Sequence, residues 1–311
     1  MNRPGFQWRQ IVTLFLLTTC PVFAGMYTLY DQAKQLVSPL TNEVSAQRVT
    51  NLSRLLQSLW ELDENRLESG RDFEISADNR KVWLKFWSNV KPTDFHVKNL
   101  TKMEKPTFKA FIKLLDNYKF RSDKTEYEKE KFVKENWAFL NEVMKTKVMQ
   151  AAHSYLAAQG LAPASKEEFK ARLYEIWLRF DRSPNGGQFS TFEHVFVGEM
   201  VGGKVEGYHN WIHLYRQMRK GRIMIQDFEI KAGKNKPLVA AFSFTIPKWQ
   251  ATKHGALMLL GTSPEFELAA YTSTFLMGLN GEFKVGRDSV RLICVRAFRR
   301  QWRPKTCYPK G

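Results

Sequence analysis

Asp181-Arg182-Ser183-Pro184-Asn185-Gly186-Gly187 is the stretch on which the architecture turns. A proline, an asparagine and paired glycines are turn chemistry, and the chain changes character across them. Upstream, apolar residues recur at helical spacing: Leu52, Leu55, Leu56, Leu59 and Leu62, then Phe108, Phe111, Ile112 and Leu115 ahead of Asp116-Asn117. A third stripe of Phe132, Val133, Trp137, Leu140, Met144 and Val148 runs on toward Gly160. Ser165 with Glu168 forms a capping box for a fourth helix carrying Phe169, Leu173, Ile176 and Trp177. Downstream, short runs dominate: Arg222–Ile230, Leu238–Ile246, Ala256–Leu260 and Val290–Phe298, several with the β-branched and aromatic content of strands. One helix interrupts them, opened by an N-cap, a proline at the first position and an acid in the first turn, Ser263-Pro264-Glu265. Helices first and strands later specify an α+β fold, a helical N-terminal lobe over 45–180 and a β-rich C-terminal lobe over 188–311. The stripes are core packing, and no repeat of fixed period is present.

The 311 residues, 43% hydrophobic and 14% aromatic, suffice for one large domain or two smaller ones. Nine Trp, 23 Phe and 10 Tyr at 25% charged residues exclude a disordered chain. No run reaches the roughly 20 apolar residues of a membrane-spanning helix, so stable membrane insertion is not expected. Three cysteines exclude a disulfide-dense scaffold or a Cys-rich zinc module. Lys and Arg number 48 against 31 Asp and Glu, a net charge of +17 that favours polyanions: nucleic acid, heparin-like sugars or anionic lipid.

The N-terminus reads as an address. Arg3 and Arg9 precede an apolar run from Ile11 to Ala24, and Val22 and Ala24 stand at minus three and minus one of a cleavage point before Gly25. Residues 1–24 are therefore expected to be a cleaved signal peptide, with 25–44 a linker, and the protein to be secreted. Cleavage would remove two arginines and no acid, taking +17 to +15. Asn51-Leu52-Ser53 and Asn99-Leu100-Thr101 are glycosylation acceptors. Cys20 would leave with the signal, and Cys294 and Cys307 could then pair in an oxidising compartment.

Four of the six histidines, His194, His209, His213 and His254, fall in one stretch of the strand-rich half. Histidine titrates near neutrality, so a pair can hold one proton and lack another at once. RNA transesterification requires that pairing: a base for the ribose 2′-hydroxyl, an acid for the departing 5′-oxygen, and a cation for the charge growing on phosphorus. His209 and His213 are four apart and would share a helix face, as zinc ligands can. The intervening Asn210-Trp211-Ile212 supplies no glutamate base, so a zinc hydrolase is the weaker reading and His213 a surface or supporting residue.

Three blocks in this half, Phe192-Glu-His-Val-Phe-Val-Gly-Glu199, Gly207-Tyr-His-Asn-Trp211 and Gly261-Thr-Ser-Pro-Glu-Phe-Glu267 followed by Ala270-Tyr271, resemble the signature blocks of the EndoU family of poly(U)-specific endoribonucleases. Leu62-Asp-Glu-Asn-Arg66 with Gly70-Arg-Asp72, Leu114-Leu-Asp-Asn-Tyr118, and Thr146-Lys-Val-Met149 with Ala152-His-Ser-Tyr155 resemble its other blocks, so the likeness spans about 45 to 309. The resemblance implies His194, His209 and Lys253 as the catalytic set, with Glu193 and Glu199 supporting the site. Analogy gives His194 as acid and His209 as base, an assignment the residues alone leave open. It also implies Thr306 and Tyr308 as uridine-binding residues. Here Lys305 and Cys307 depart from the family's usual glycine and alanine, which puts that uracil pocket in question. Manganese is implied as a stimulating ion, with no ligand set evident.

The expected partner is single-stranded RNA containing uridines, and the expected state a monomer. Lys284, Arg287, Arg291, Arg296, Arg299, Arg300, Arg303, Lys305 and Lys310, interleaved with Phe298 and Trp302, suit phosphate contacts and base stacking. Arg216, Arg219, Lys220 and Arg222 add a second cluster, whereas Glu128, Glu130 and Glu135 read as an exposed helix face. The alternative to an enzyme is a binding protein that keeps the fold and has lost catalysis, against which all three catalytic candidates are present.

Overall fold

The computed structural model describes residues 45–76, 94–118, 130–182, 188–297 and 300–311. The expected signal peptide and linker, and Glu128, Phe298 and Arg299, lie outside the described residues. The chain forms two compact units, residues 1–50 and 51–311. Of the first, residues 45–50 are described, an exposed stretch of helix. Everything that follows concerns the second.

The helical half follows the apolar periodicity. Helix α1 (51–62 of this unit) buries Leu52, Leu55, Leu56 and Leu59, while Ser53 Oγ and Gln57 Oε1 accept the backbone N–H groups of Glu282 and Lys284 at 3.2 and 2.9 Å. These two residues belong to strand β10 (Gly281–Val285), the edge of a sheet, so α1 covers an edge that would otherwise expose unpaired donors. Helix α2 (Pro106–Leu115) begins with proline and buries Phe108, Phe111, Leu114 and Leu115. The third stripe is two helices, α3 (Glu130–Met144) and α4 (Lys147–Ala158). Thr146 divides them: its hydroxyl donates to Val143 O at 2.8 Å and accepts from Met149 N at 3.3 Å, closing one helix and capping the next. Helix α5 (Lys166–Leu173) is capped by Ser165, whose Oγ accepts from Glu168 N at 3.3 Å, and continues into a π turn, Tyr174–Leu178.

Glu135 corrects the exposed-face reading of α3. It is 5% exposed, bonded to Asn117 Nδ2 at 2.6 Å and within 3.4 Å of Lys113 Nζ. The α2–α3 packing turns this position inward, where a carboxylate persists only when paired.

Two short antiparallel pairs follow the chain: β1 (Phe73–Ser76) with β2 (Asp94–Val97), and β3 (Asp181–Arg182) with β4 (Gln188–Phe189). The second brackets the turn-rich stretch 183–187. The main sheet has five strands: β5 (Glu199–Val201), β6 (Lys204–Glu206), β7 (Met224–Ala232), β8 (Val239–Ile246) and β9 (Ala251–Leu259). Their order is β5-β6-β9-β8-β7, antiparallel except where β6 meets β9 in parallel at Lys204 and Thr252. A helix beyond the single one expected, α6 (Trp211–Arg219), joins β6 to β7; Asn210 Oδ1 caps it by accepting from His213 N at 2.9 Å.

Helix α7 (Pro264–Met277) is capped by Ser263, which accepts from Phe266 N at 3.1 Å, and is buried along nearly its whole length. Strands β10, β11 (Asp288–Ala297) and β12 (Arg300–Lys310) close the fold as a three-stranded antiparallel sheet. Charge density and Pro304 and Pro309 hide β12 from a periodicity argument. It is an edge strand, where proline is tolerated, and Pro304 stands at a register shift opposite Arg296. One aromatic core joins the two halves. Phe111 of α2 meets Phe139, Phe192 and Phe196 at 5.5–5.6 Å between centroids, and Phe196 meets Trp177 at 5.7 Å.

Candidate active site

Two backbone hydrogen bonds bring the histidine blocks together. Residues 193–197 form a π turn whose flanks, Phe192 and Phe196, are anchored in the aromatic core. Tyr208 N donates to His194 O at 3.0 Å, and His209 N donates to Val195 O at 2.7 Å. The approach is close enough to require glycine. Gly207 has φ +65°, and a Cβ there would stand 1.7 Å from His194 O. Tyr208 itself adopts φ +68°, a conformation that non-glycine residues seldom hold unless their surroundings enforce it.

His194 Nδ1 lies 2.5 Å from Glu199 Oε1, both side chains close to buried at 9% and 11% exposure. The carboxylate fixes the ring and occupies Nδ1, leaving Nε2 as the nitrogen available to a ligand. His209 Nδ1 donates to Leu257 O at 2.8 Å, which leaves an unprotonated Nε2 on the neutral ring. Burial lowers the His209 pKa to about 3; the Leu257 carbonyl opposes this, and positive charge on Lys253 and His194 adds to it. Lys253 stands on β9, four residues before the Leu257 whose carbonyl holds the His209 ring. Lys253 is half-buried on β9, and burial lowers its pKa while Glu206 raises it.

Strand β12 completes the corner. Tyr308 stacks toward His209 with ring centroids 5.4 Å apart, and Thr306, two residues earlier, shares its face of the strand. Thr306 Oγ1 is buried with no hydrogen-bond partner among the described residues. Cys307 lies on the opposite face, fully buried and disulfide-bonded to Cys294, its direct partner in register. The cysteine that departs from the family pattern is thus a clamp on the strand carrying Thr306 and Tyr308. Glu193 is buried at 1% exposure, its backbone N–H donating to Ser190 Oγ at 3.0 Å.

The structure separates His209 from His213. His209 precedes the helix and His213 is inside it, so they do not share a helix face. His213 is 4% exposed, correcting its reading as a surface residue. Among the described residues, no group of three or more His, Cys, Asp or Glu is placed to hold a metal.

The basic tract divides. Arg303 is 1% exposed, paired with Asp181 at 2.8 Å and packed on Phe189, so it fastens β12 to the β3–β4 pair and is no phosphate ligand. Arg296 donates to Phe275 O at 3.0 Å. Lys284, Arg287 and Lys305 stand at exposed positions.

A network behind the site was missed in the sequence. Asn210 Nδ2 donates to Glu267 Oε2 at 3.2 Å, Thr262 Oγ1 donates to Glu267 Oε1 at 2.8 Å, and Trp211 Nε1 donates to Thr262 O at 2.8 Å. Asp63 accepts from Ser263 N at 3.2 Å, and Asn65 Nδ2 donates to Glu265 Oε1 at 2.6 Å. Burial raises Glu267 to about 8 and Asp63 to about 7. The available signal was two acids in the first turn of an otherwise apolar helix, matched by the polar run Leu62–Arg66.

Comparison with known proteins agrees with this fold. The family model described as Endoribonuclease XendoU matches residues 51–309. The chain is 35% identical over 256 residues to the poly(U)-specific endoribonuclease of Xenopus tropicalis, covering 78% of this chain and 85% of that one. It is 36% identical over 260 residues to uridylate-specific endoribonuclease B of Danio rerio, covering 78% and 90%. The solved structure of XendoU, described as a splicing-independent snoRNA-processing endoribonuclease, superposes with a TM-score of 0.68 at 30% identity, over 84% of this chain and 96% of that one. With the family match running from α1 through β12 and enclosing His194, His209, Lys253 and Tyr308, the chain belongs to the XendoU endoribonuclease family.

Proposed function

We propose that this endoribonuclease cleaves single-stranded RNA at uridylates by attack of the ribose 2′-oxygen on the adjacent phosphorus. The 2′-O–P bond forms and the P–O5′ bond breaks, leaving a 2′,3′-cyclic phosphate and a 5′-hydroxyl. The carrying observation is the His209 ring, whose Nδ1 is committed to Leu257 O so that a neutral Nε2 is left to take the 2′-proton. His194 is assigned as the acid: Glu199 on Nδ1 is placed to stabilise a charged ring, and Nε2 delivers the proton to the departing 5′-oxygen. Lys253 stabilises charge on the phosphorane. Glu199 and Glu193 hold the π turn and its histidine. Tyr308 stacks on the uridine and the Thr306 hydroxyl reads a uracil edge. The names of the relatives support the uridylate preference.

Secretion is part of the proposal, supported by the N-terminal pattern and by a disulfide of the kind that persists in oxidising compartments. Asn51 sits within α1, and Asn99 Nδ2 donates to Asp72 Oδ1 at 3.0 Å, so glycosylation is read from the mass of the secreted protein before and after glycan removal. We propose a monomer. Among the described residues manganese finds no protein cage, Glu199 being engaged with His194 and Glu193 buried, and the proposed role of the ion is to stimulate RNA binding.

The test is cleavage of a fluorescent oligonucleotide carrying a single uridine, with Mn²⁺ and with EDTA, beside His209→Ala. Cleavage at the uridine that His209→Ala abolishes, with a cyclic-phosphate end by mass, is expected. Binding without cleavage in either condition would overturn the catalytic reading in favour of a binding protein.

A further inference from the structure

On the other side of the Gly207–His209 segment lies a cavity of about 590 Å³, a size typical of small-ligand sites. Tyr208 lines it, whereas the next residue, His209, faces Leu257 O and Tyr308. His213 also lines it, 4% exposed, and its Nδ1 is buried with no hydrogen-bond partner among the described residues. An unpartnered buried polar atom costs free energy, and the ring to which it belongs borders the cavity. Trp249 and Tyr118 supply aromatic walls, and Arg222 and Lys248 stand at the rim. Asp116 is the acid of the lining and is already engaged by Arg216 at 3.3 Å and Lys220 at 3.5 Å. The mouth is therefore cationic, and the interior is aromatic with one hydrogen-bonding ring.

We propose that this cavity is a second nucleotide site, taking a nucleoside monophosphate whose base enters between the aromatic walls against His213 and whose phosphate meets Arg222 and Lys248. The aromatic surfaces select a planar ring, the two cations an anion, and a neutral His213 gives or accepts one base-edge hydrogen bond. The occupant is either a free mononucleotide or a nucleotide of bound RNA. Because Tyr208 forms one wall and its backbone holds the His209 segment, occupancy bears directly on the catalytic corner.

The test is NMR of the full chain with its histidines ¹³C-labelled, the His213 signal assigned with His213→Gln. AMP is the probe, since the catalytic corner is expected to prefer uridine. AMP is expected to shift the His213 resonance at up to about 10 mM. The exposed double variant Arg222→Glu/Lys248→Glu is expected to weaken that binding by about tenfold or more, while Tyr308→Ala leaves it unchanged. Oligonucleotides 2′-deoxy at uridine, so that they stay intact, separate the sources. If longer ones displace AMP and shift His213, RNA reaches the cavity; if AMP alone does so, the ligand is a free nucleotide. Absence of a His213 shift, or binding insensitive to the charge reversal and lost in Tyr308→Ala, would overturn the proposal. None of these readouts uses cleavage, so the proposal fails or stands separately from the activity.

Discussion

Single residues carry the proximity on which the proposed chemistry depends. At Gly207 a methyl group has nowhere to go, because the obstacle is the His194 carbonyl and both segments are held by core aromatics. Gly207→Ala is expected to lower kcat/KM by about 10²-fold, the cost of displacing one reacting group by about an ångström. Gly202 also has positive φ but open space around it, so Gly202→Ala should lose only about 1 kcal/mol of stability and leave kcat/KM near wild type. Paired kinetics and thermal melts check both. A second expectation concerns protonation. His209 and His213 are both held near a pKa of 3, first by burial and then by neighbouring cations, with Leu257 O opposing at His209. Their ring signals should remain those of neutral imidazole from pH 8 down to about pH 5. A midpoint near 6.5 for His209 would show the ring to be open to solvent and would contradict its desolvation in the folded chain.

At the scale of elements, the disulfide and the α6 cap place the residues that the active corner presents. Cys294 and Cys307 face each other across β11 and β12 and are 13 residues apart, so the closed loop is short and the constraint on the unfolded chain moderate. Cys294→Ala/Cys307→Ala is expected to cost about 3 kcal/mol in denaturant unfolding. Loosening β12 should also raise KM for uridine substrates more than it lowers kcat, because Thr306 and Tyr308 flank Cys307. Asn210 performs two tasks at the start of α6: its oxygen caps the helix and its amide nitrogen donates to Glu267. Asn210→Ala removes both, leaves a buried carboxyl short of a donor and should cost at least about 2 kcal/mol. The adjacent His209 should move with it, so activity falls further than the loss of folded protein explains.

For the molecule as a whole, buried titratable groups set how stability follows pH. The two histidines bind fewer protons folded than unfolded between their ordinary 6.5 and about 3, so their contribution is full above 6.5 and declines as pH falls. Asp63 and Glu267 go the other way. They keep protons that the unfolded chain releases above 3.8 and 4.5, so the stability they contribute is lost as pH rises toward about 7 and about 8. Melting across pH 4–9 should show a limb on each side, each at least about 1 kcal/mol deep. Glu267→Gln should flatten the alkaline limb and His213→Gln the acid one; limbs unchanged by these substitutions would contradict the assignment. Much of this protein is fixed by its sequence alone. The helical stripes, the caps at Ser165 and Ser263 and the strand runs follow from local periodicity and side-chain chemistry; the two histidines stand in recognisable blocks, and the lysine lies eight residues ahead of a third. What the sequence does not determine is which polar groups lie inside. Glu135 among lysines reads as an exposed face and Arg303 within a basic tract as a phosphate contact, yet both are buried, because Asn117 and Asp181 arrive from other elements. Asp63 and Ser263 meet across 200 residues, a juxtaposition no local window contains. The same holds for His209 and His213: four positions apart in the chain, they are separated by the N-cap at Asn210, with His209 on the irregular backbone before the helix and His213 inside it. One therefore faces the proposed catalytic corner and the other borders the cavity behind it, because burial and hydrogen-bond satisfaction depend on the assembled core as a whole.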